Sequence, residues 1–217
     1  KIENIVLQNI KTNDKRINIL NNYKINYVAW GKTKDKRNYS WVDLDNEYAI
    51  EIIINYLIKK NHTHISYINI SEKYNFANER KSSFLKSLKL NKINFNPNYY
   101  ASVKLEEPEN SFEVIKKMLT KNKKISAIIC STEFSALSAI KACNYLNYKI
   151  GKDISIITFD GALVRDLSSP PITAVSFPVK ELGKRAINIL LDKNKNQTVN
   201  YLAKSEIIER GSVHIVS

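Results

Sequence analysis

Glycine is scarce in this chain, because only five of its 217 residues are glycine. Three enzyme signatures depend on glycine: GxSxG in serine hydrolases, GxxxxGK in phosphate-binding loops and GxGxxG in dinucleotide-binding folds. None of them occurs in the sequence, and five glycines leave little room for a degenerate form. The sequence therefore predicts no enzyme of these classes and no cofactor.

Cysteine and long apolar runs are also scarce. The two cysteines, Cys130 and Cys143, form no CxxC pair, which is typical of a reduced intracellular protein. The longest apolar run, Ile50 to Ile58, is interrupted by Glu51 and Asn55 and is too short to span a membrane. The N-terminal stretch lacks the apolar core of a signal peptide. We expect a cytoplasmic protein with no membrane partner.

Positive charge is in excess, with a formal net charge of +13. A clustered excess would favour nucleic-acid binding, because lysine and arginine displace counterions from phosphates. Here the lysines occur singly or in pairs such as Lys59-Lys60, Lys116-Lys117 and Lys123-Lys124. The pattern favours a solvated surface, and direct contact with a DNA duplex is the less favoured alternative.

Two small groups of polar residues suggest chemistry but are weak signals. His62 and His64 precede a predicted strand, and no acidic or cysteine side chain lies beside them at the spacing of metal ligands. We therefore predict no metal site. Glu106, Glu107 and Glu109 precede a predicted helix, where negative charge suits the helix dipole. A glycosidase pair would need two carboxylates facing each other, which spacing alone cannot demonstrate.

Short apolar runs alternate with longer amphipathic stretches, the pattern of parallel strands joined by helices. This predicts an α/β fold. Asp45 is a predicted N-cap, Ser131 or Thr132 begins another helix, and Pro178 opens the last one. The predicted strands are Ile5 to Gln8, Ile25 to Trp30, His64 to Ile70, Ser126 to Cys130 and Ile154 to Phe159.

Polar and aromatic residues cluster near the carboxyl ends of these strands, where ligands of open α/β sheets bind. They are Gln8, Trp30, Phe76 with Arg80, Thr132 and Asp160. Aromatic faces can stack on a sugar ring, while arginine, aspartate and glutamine pair with hydroxyl groups. A small polar ligand is one interpretation. The alternative is structural, with Arg80 in a surface salt bridge and Asp160 in a turn or N-cap.

Several motifs resemble those of the lactose-repressor (LacI/GalR) family, in the family's order along nearly the whole chain. Residues 150–160, IGKDISIITFD, resemble its VPxDISVVGFD segment. In the first half of the chain, residues 42–46 (VDLDN) resemble the family's VDxDN, residues 56–65 resemble HLIxxGHxxIA, and residues 77–84 resemble AxxRxxGF. In the second half, residues 127–137 resemble AIfcxNDxxAlG and residues 171–175 resemble PLTTV. Residues 178–190 resemble P..ELG..A...LL, and residues 208–212 resemble lvxRgS.

The resemblance implies two Rossmann-like lobes with parallel sheets, crossed three times by the chain, of the type I periplasmic-binding-protein architecture. Residues 1–44 with about 178–195 would form an incomplete first lobe. Residues 45–177 with about 196–217 would form the second. The start of the first lobe and a helix-turn-helix headpiece are expected to be missing, so operator DNA would be bound only through that absent headpiece.

The resemblance also implies which residues contact an effector. Arg80 and Asp160 match the family's positions best, whereas Thr132-Glu133 replaces the usual Asn-Asp pair, which leaves the hydrogen-bond pattern open. Ser83 and Asn61 stand where the family motifs have glycine, and we expect the scaffold to tolerate both changes. The implied contacts are Gln8, Trp30, Gly31, Phe76, Arg80, Thr132, Asp160 and Phe177. The aromatic residues among them favour a saccharide, with purine stacking as the alternative.

The sequence thus predicts the ligand-sensing domain of a transcription repressor that controls operator affinity through a homodimer. The main alternative is a periplasmic sugar-binding protein of a transport system, which shares the two-lobe architecture. The PLTTV-like and RGS-like elements favour the repressor. An enzyme would instead show a convergent nucleophile, base and oxyanion site, whereas here the polar residues are spread over several strand ends.

Overall fold

A computed structural model describes residues 2–35, 38–105, 107, 109–159, 168–192 and 197–217. Within these ranges the chain forms ten β-strands, six α-helices and one 3₁₀ turn, Pro97–Tyr99. The strands are β1 (Asn4–Leu7), β2 (Asn26–Trp30), β3 (Trp41–Leu44), β4 (Ile65–Ile70), β5 (Tyr100–Val103), β6 (Ala127–Cys130), β7 (Ser155–Phe159), β8 (Thr173–Val175), β9 (Asn200–Ala203) and β10 (Ile207–Ile208). The helices are α1 (Lys15–Asn22), α2 (Asn46–Lys59), α3 (Asn75–Leu90), α4 (Asn110–Lys121), α5 (Glu133–Tyr145) and α6 (Val179–Leu191).

The first sheet has four strands in the order β1-β2-β3-β9, and every adjacent pair is parallel. Helix α6 covers one face of this sheet, where Leu182 and Ala186 pack in one cluster with Val28 and Val42. Helix α1 covers the opposite face through Ile17. The alternation of side chains along a strand supplies apolar residues to both faces, as a covered parallel sheet requires.

The second sheet has six strands in the order β10-β8-β7-β6-β4-β5, and only β10 is antiparallel to its neighbour. Helices α2 and α3 cover one face, where Ile53 and Phe84 pack with Tyr67 of β4. Helices α4 and α5 cover the other face, where Ile115 packs with Ile128 of β6. Two helical layers around one sheet form the larger core of the protein.

The chain passes three times between the two sheets: from β3 into α2, from β8 into α6, and from β9 into β10. Backbone hydrogen bonds tie these crossings together. Asp45 N donates to Ala203 O at 2.9 Å, and Ser176 N donates to Glu206 O at 2.9 Å. The three crossings therefore form one hydrogen-bonded bridge behind the space between the lobes.

The predicted α/β fold with parallel sheets is confirmed. All five predicted strands occur, with ends shifted by at most one residue. Asp45 is the predicted N-cap, accepting from Tyr48 N, and Thr132 caps α5. In the described part of the chain, no helix combines the length and apolar character that crossing a membrane requires.

The proposed lobe boundaries differ from the strand pairing at one place. Residues from about 196 onward were expected in the second lobe. Instead, β9 pairs in parallel with β3 of the first sheet, from Trp41 opposite Asn200 to Leu44 opposite Ala203. Only β10 and the residues after it lie with the second sheet. The third crossing therefore falls at residues 204–206.

Candidate functional site

A cavity of about 380 Å³ lies between the two lobes. Its walls come from the carboxyl ends of β2 and β3, from residues just after β1, β2 and β3, from the first turns of α3, and from the crossing between β8 and α6. Open parallel sheets bind ligands at the carboxyl ends of their strands, and the cavity lies at that edge of the first sheet. The cavity is lined by Gln8, Asn9, Ile10, Trp30, Gly31, Lys32, Asp43, Leu44, Asn46, Phe76, Arg80, Phe177 and Val179.

Six predicted contact residues thus meet in one cavity: Gln8, Trp30, Gly31, Phe76, Arg80 and Phe177. They come from both lobes, so a ligand in the cavity would touch both. Among the described residues, one predicted contact is not part of this arrangement. Thr132 is absent from the lining and caps α5, where its hydroxyl accepts from Ser135 N at 3.1 Å. Asp160 lies outside the described residues.

Arg80 is a buried charged residue of the cavity wall, with 6% of its surface exposed, the same fraction as Asp43. Its Nε donates to Asn46 Oδ1 at 2.7 Å and one terminal nitrogen donates to Ser131 O at 3.1 Å. The guanidinium carbon lies 3.4 Å from the ring centroid of Phe159. Burial lowers the pKa of Arg80 to about 10, so the side chain stays cationic at neutral pH.

Asn46 positions this arginine from the first crossing. While its Oδ1 accepts from Arg80, its Nδ2 donates to Leu44 O at 3.0 Å and to Asp43 Oδ1 at 3.4 Å. Asp43 Oδ1 also accepts from Leu44 N at 2.8 Å. Burial raises the pKa of Asp43 to about 6, although nearby Lys32 opposes the shift. The amide thus connects the arginine and the aspartate at the cavity wall.

Lys32 carries an ion pair across the space between the lobes. Its Nζ lies 2.9 Å from Glu79 Oε2 on α3 and 3.6 Å from Asp43 Oδ2 at the end of β3. Burial disfavours the charged ammonium, but the two carboxylates outweigh it, so the pKa of Lys32 is raised. Asn75 Nδ2 donates to the other oxygen of Glu79 at 3.0 Å. The cation is therefore fixed between the two lobes.

Three aromatic rings complete the cavity. The ring centroids of Trp30 and Phe177 lie 6.4 Å apart with an interplanar angle of 45°. The Phe76 ring lies 4.9 Å from the guanidinium carbon of Arg80. The cavity therefore combines flat apolar faces with buried donors and acceptors, which suits binding of a small polar molecule.

A larger and shallower hollow, of about 830 Å³, lies elsewhere on the first lobe. Tyr27, Ser40 and Asn200 line it, at the amino ends of β2, β3 and β9. We place the candidate site in the smaller cavity for two reasons. It lies at the carboxyl ends of the strands, and buried charged groups from both lobes converge on it.

Sequence reasoning missed Lys32, Asp43 and Asn46, which line the cavity. A signal for each was present, since Lys32 directly follows the predicted contact Gly31, and the other two belong to the VDLDN segment. Asp43, within β3, and Asn46, shortly after it, were overlooked because β3 was not predicted as a strand. A strand of four residues gives little periodic signal.

The sequence model of the periplasmic binding protein-like domain family matches residues 54–213. The transcriptional repressor PurR of Proteus mirabilis is 27% identical over 190 residues, which cover 86% of this chain and 55% of that protein. More broadly, the chain spans between 55% and 64% of the length of the curated relatives it matches.

Solved structures share the fold. A regulatory protein of the LacI family from Chloroflexus aggregans superposes with a TM-score of 0.85 at 25% identity, over 97% of this chain and 76% of that one. The transcriptional regulator CelR in its cellobiose complex superposes with a TM-score of 0.90 at 17% identity, over 97% of this chain and 65% of that one. The second likeness concerns the fold alone.

Proposed function

The chain belongs to the periplasmic binding protein-like domain family, and on that premise we propose that it is the ligand-sensing part of a LacI/GalR-type transcription repressor. The names of the relatives support this assignment, since PurR is a transcriptional repressor and the Chloroflexus aggregans protein is a LacI-family regulator. In this proposal the chain binds its effector without chemical conversion. The domain acts in the cytoplasm.

The observation that carries the proposal is the buried Arg80 in a cavity walled by both lobes. Of its five N–H donors, two are paired with described residues, at Asn46 and Ser131. Donors of a buried side chain gain most from a ligand that accepts hydrogen bonds. An effector hydroxyl or carbonyl would fill that role.

We propose a saccharide as the effector. Trp30, Phe76 and Phe177 offer flat faces to the apolar side of a sugar ring, and Asp43 and Asn46 offer polar groups to its hydroxyls. CelR, which shares the fold, was solved with cellobiose. A purine would also stack on aromatic rings, so purine bases belong in the same binding panel.

Control of the operator would follow from lobe closure. An effector held by both lobes favours the closed arrangement only if it binds that arrangement more tightly than the open one. A homodimer would pass this bias to DNA-binding headpieces outside this chain. The bridge of three crossings is the element that bends, because it alone joins the two sheets covalently within the described residues.

The proposal is tested by comparing ligand binding to the wild-type protein with ligand binding to a variant in which Arg80 is replaced. A thermal-shift panel of monosaccharides, disaccharides, pentoses and purine bases identifies a binder, which raises the melting temperature by mass action. Isothermal titration of that binder against Arg80→Ala should then show an affinity loss of about 10- to 150-fold, as expected for a charged hydrogen bond.

Arg185→Ala is the matched control, because Arg185 is an exposed arginine that lines the larger hollow instead. Arg80→Lys keeps the charge and tests whether the guanidinium geometry matters. Unchanged affinity in a folded Arg80→Ala protein would remove this arginine from the site. A loss in Arg185→Ala alone would move the site to the larger hollow.

A further inference from the structure

Four charged side chains form a buried or half-buried group at the candidate site: Lys32, Asp43, Glu79 and Arg80. The exposed fractions of the first three side chains are 11%, 9% and 16%, and Arg80 is 6% exposed. Lys32 Nζ lies within ion-pair distance of both carboxylates, at 3.6 and 2.9 Å. Arg80 and Asp43 contact the effector in the function proposed above, whereas Lys32 and Glu79 have no role in it.

The charges of this group cancel, because two cations face two carboxylates. Lys32 is already held by both carboxylates, so it is not a free cation for an anionic ligand. Asp43 lines the cavity as well, so any anion brought beside Arg80 also approaches a buried negative charge. Such like-charge juxtaposition weakens binding most where water is excluded.

Asp43 also has an acceptor to spare. Its Oδ1 accepts from Leu44 N at 2.8 Å and from Asn46 Nδ2 at 3.4 Å. Its Oδ2 lies 3.6 Å from Lys32 Nζ, which is an ion pair but longer than a hydrogen bond. A hydroxyl group in the cavity can therefore donate to Oδ2 without displacing a hydrogen bond of the protein.

We propose that Asp43, together with Lys32 and Glu79, determines the charge specificity of the cavity, so that it accepts uncharged, hydroxyl-rich effectors and rejects their phosphorylated counterparts. This inference rests on the proposed function. It names a cluster that sets the class of ligand, with Asp43 as the acceptor for a ligand hydroxyl and Glu79 as the residue that keeps Lys32 neutralised from the second lobe.

The test compares matched neutral and phosphorylated ligands by isothermal titration: glucose with glucose 6-phosphate, cellobiose with cellobiose 6′-phosphate, and inorganic phosphate alone. The neutral member of the pair that binds should bind at least about tenfold more tightly than its phosphate ester. Inorganic phosphate at millimolar concentration should give no heat of binding with the wild-type chain.

Charge-neutralising variants test the cause. Asp43→Asn combined with Glu79→Gln leaves Lys32 and Arg80 uncompensated, so affinity for the phosphate ester and for inorganic phosphate should rise at least about tenfold. Affinity for the neutral sugar should fall. Glu113→Gln on α4 is the control, because this exposed glutamate pairs locally with Lys116. Circular dichroism checks that each variant is folded.

The outcomes separate this inference from the proposed function. Equal or tighter binding of a phosphate ester by the wild-type chain overturns the charge inference and leaves the ligand-sensing role intact. An unchanged ratio of neutral to phosphorylated affinity in the folded double variant also overturns it. If no saccharide or purine binds at all, the proposed function fails, and the charge inference fails with it.

Discussion

Protonation of His62 should loosen the attachment of the C-terminal segment to the second lobe. His62 is fully buried, and its ring contacts Ser126 Oγ at 2.8 Å through Nδ1, and His214 O at 3.1 Å and Ser155 Oγ at 3.0 Å through Nε2. Ser155 Oγ in turn accepts from His214 N at 3.1 Å. The ring therefore links strand β7 to the chain end.

The size of this effect follows from the difference between the pKa of His62 in the folded chain and its pKa in the unfolded chain. Burial lowers the pKa of His62 from 6.5 to about 4, with the nearby His214 ring also disfavouring the charge. Between these values the unfolded chain binds the proton and the folded chain does not, so stability falls as the pH falls from 6.5 to 4. The full difference corresponds to about 3–4 kcal/mol, at about 1.4 kcal/mol per pH unit.

Urea unfolding at a series of pH values from 7.5 to 4 measures this slope. We expect His62→Gln to be less stable than wild type at pH 7.5, since an amide cannot replace every hydrogen bond of the ring. Its free energy of unfolding should nevertheless decline less steeply toward acid. His64→Gln is the matched control, because His64 is an exposed histidine of the same loop. Parallel curves for wild type and His62→Gln would refute the reasoning.

Two further predictions concern packing and backbone. Phe84 is fully buried between α2, α3 and the second sheet, so Phe84→Ala should lower the free energy of unfolding by about 3–5 kcal/mol in urea titrations. The control is Leu90→Ala, because Leu90 is 70% exposed and its replacement should change that free energy by less than about 0.5 kcal/mol. Gly151→Ala should lower the melting temperature, because φ is +77° and the new Cβ would collide with Gly211 O. Gly183→Ala should raise the melting temperature, because alanine favours the helix more than glycine does and the new Cβ on α6 would have no heavy atom within 4 Å. A neutral Gly151→Ala would contradict the backbone argument.

The central strands of the second sheet could be predicted from the sequence because they are rich in isoleucine and buried along their whole length. Each residue of β4, β6 and β7 is buried. Strands covered by helices on both faces appear as continuous runs of Ile, Val and Tyr, which are easy to identify. The helices were equally visible, since their buried residues recur every three or four positions.

The shorter strands could not be predicted in the same way. Strand β8 has three residues and β10 has two, and β9 is partly exposed at the sheet edge. Their position depends on partners distant in sequence, such as Val42 of β3 facing Tyr201 of β9. A local pattern contains no information about that pairing, which explains why the third crossing was expected too early in the chain.

The residues of the candidate site also include some that could be predicted from the sequence and some that could not. Residues at the ends of predicted strands, such as Trp30 and Gly31, were placed correctly at one edge because parallel strands share their carboxyl ends. The pairing of charges could not be foreseen. Lys32 and Glu79 are 47 positions apart and become neighbours only when α3 packs beside the first lobe. Sequence spacing gives no sign of such a contact.

The geometry around Asn46 links ligand contact to lobe movement in physical terms. Asn46 begins α2 directly after the first crossing, and its amide joins Asp43 of the first sheet to Arg80 of the second lobe. Lys32 and Glu79 make a second connection between the lobes. A ligand that pairs with Arg80 and Asp43 together adds a third connection, available only when the lobes are at the distance that suits both contacts. Binding energy gained in that arrangement alone is what shifts the population toward it, whereas contacts to one lobe would hold the ligand without moving the protein.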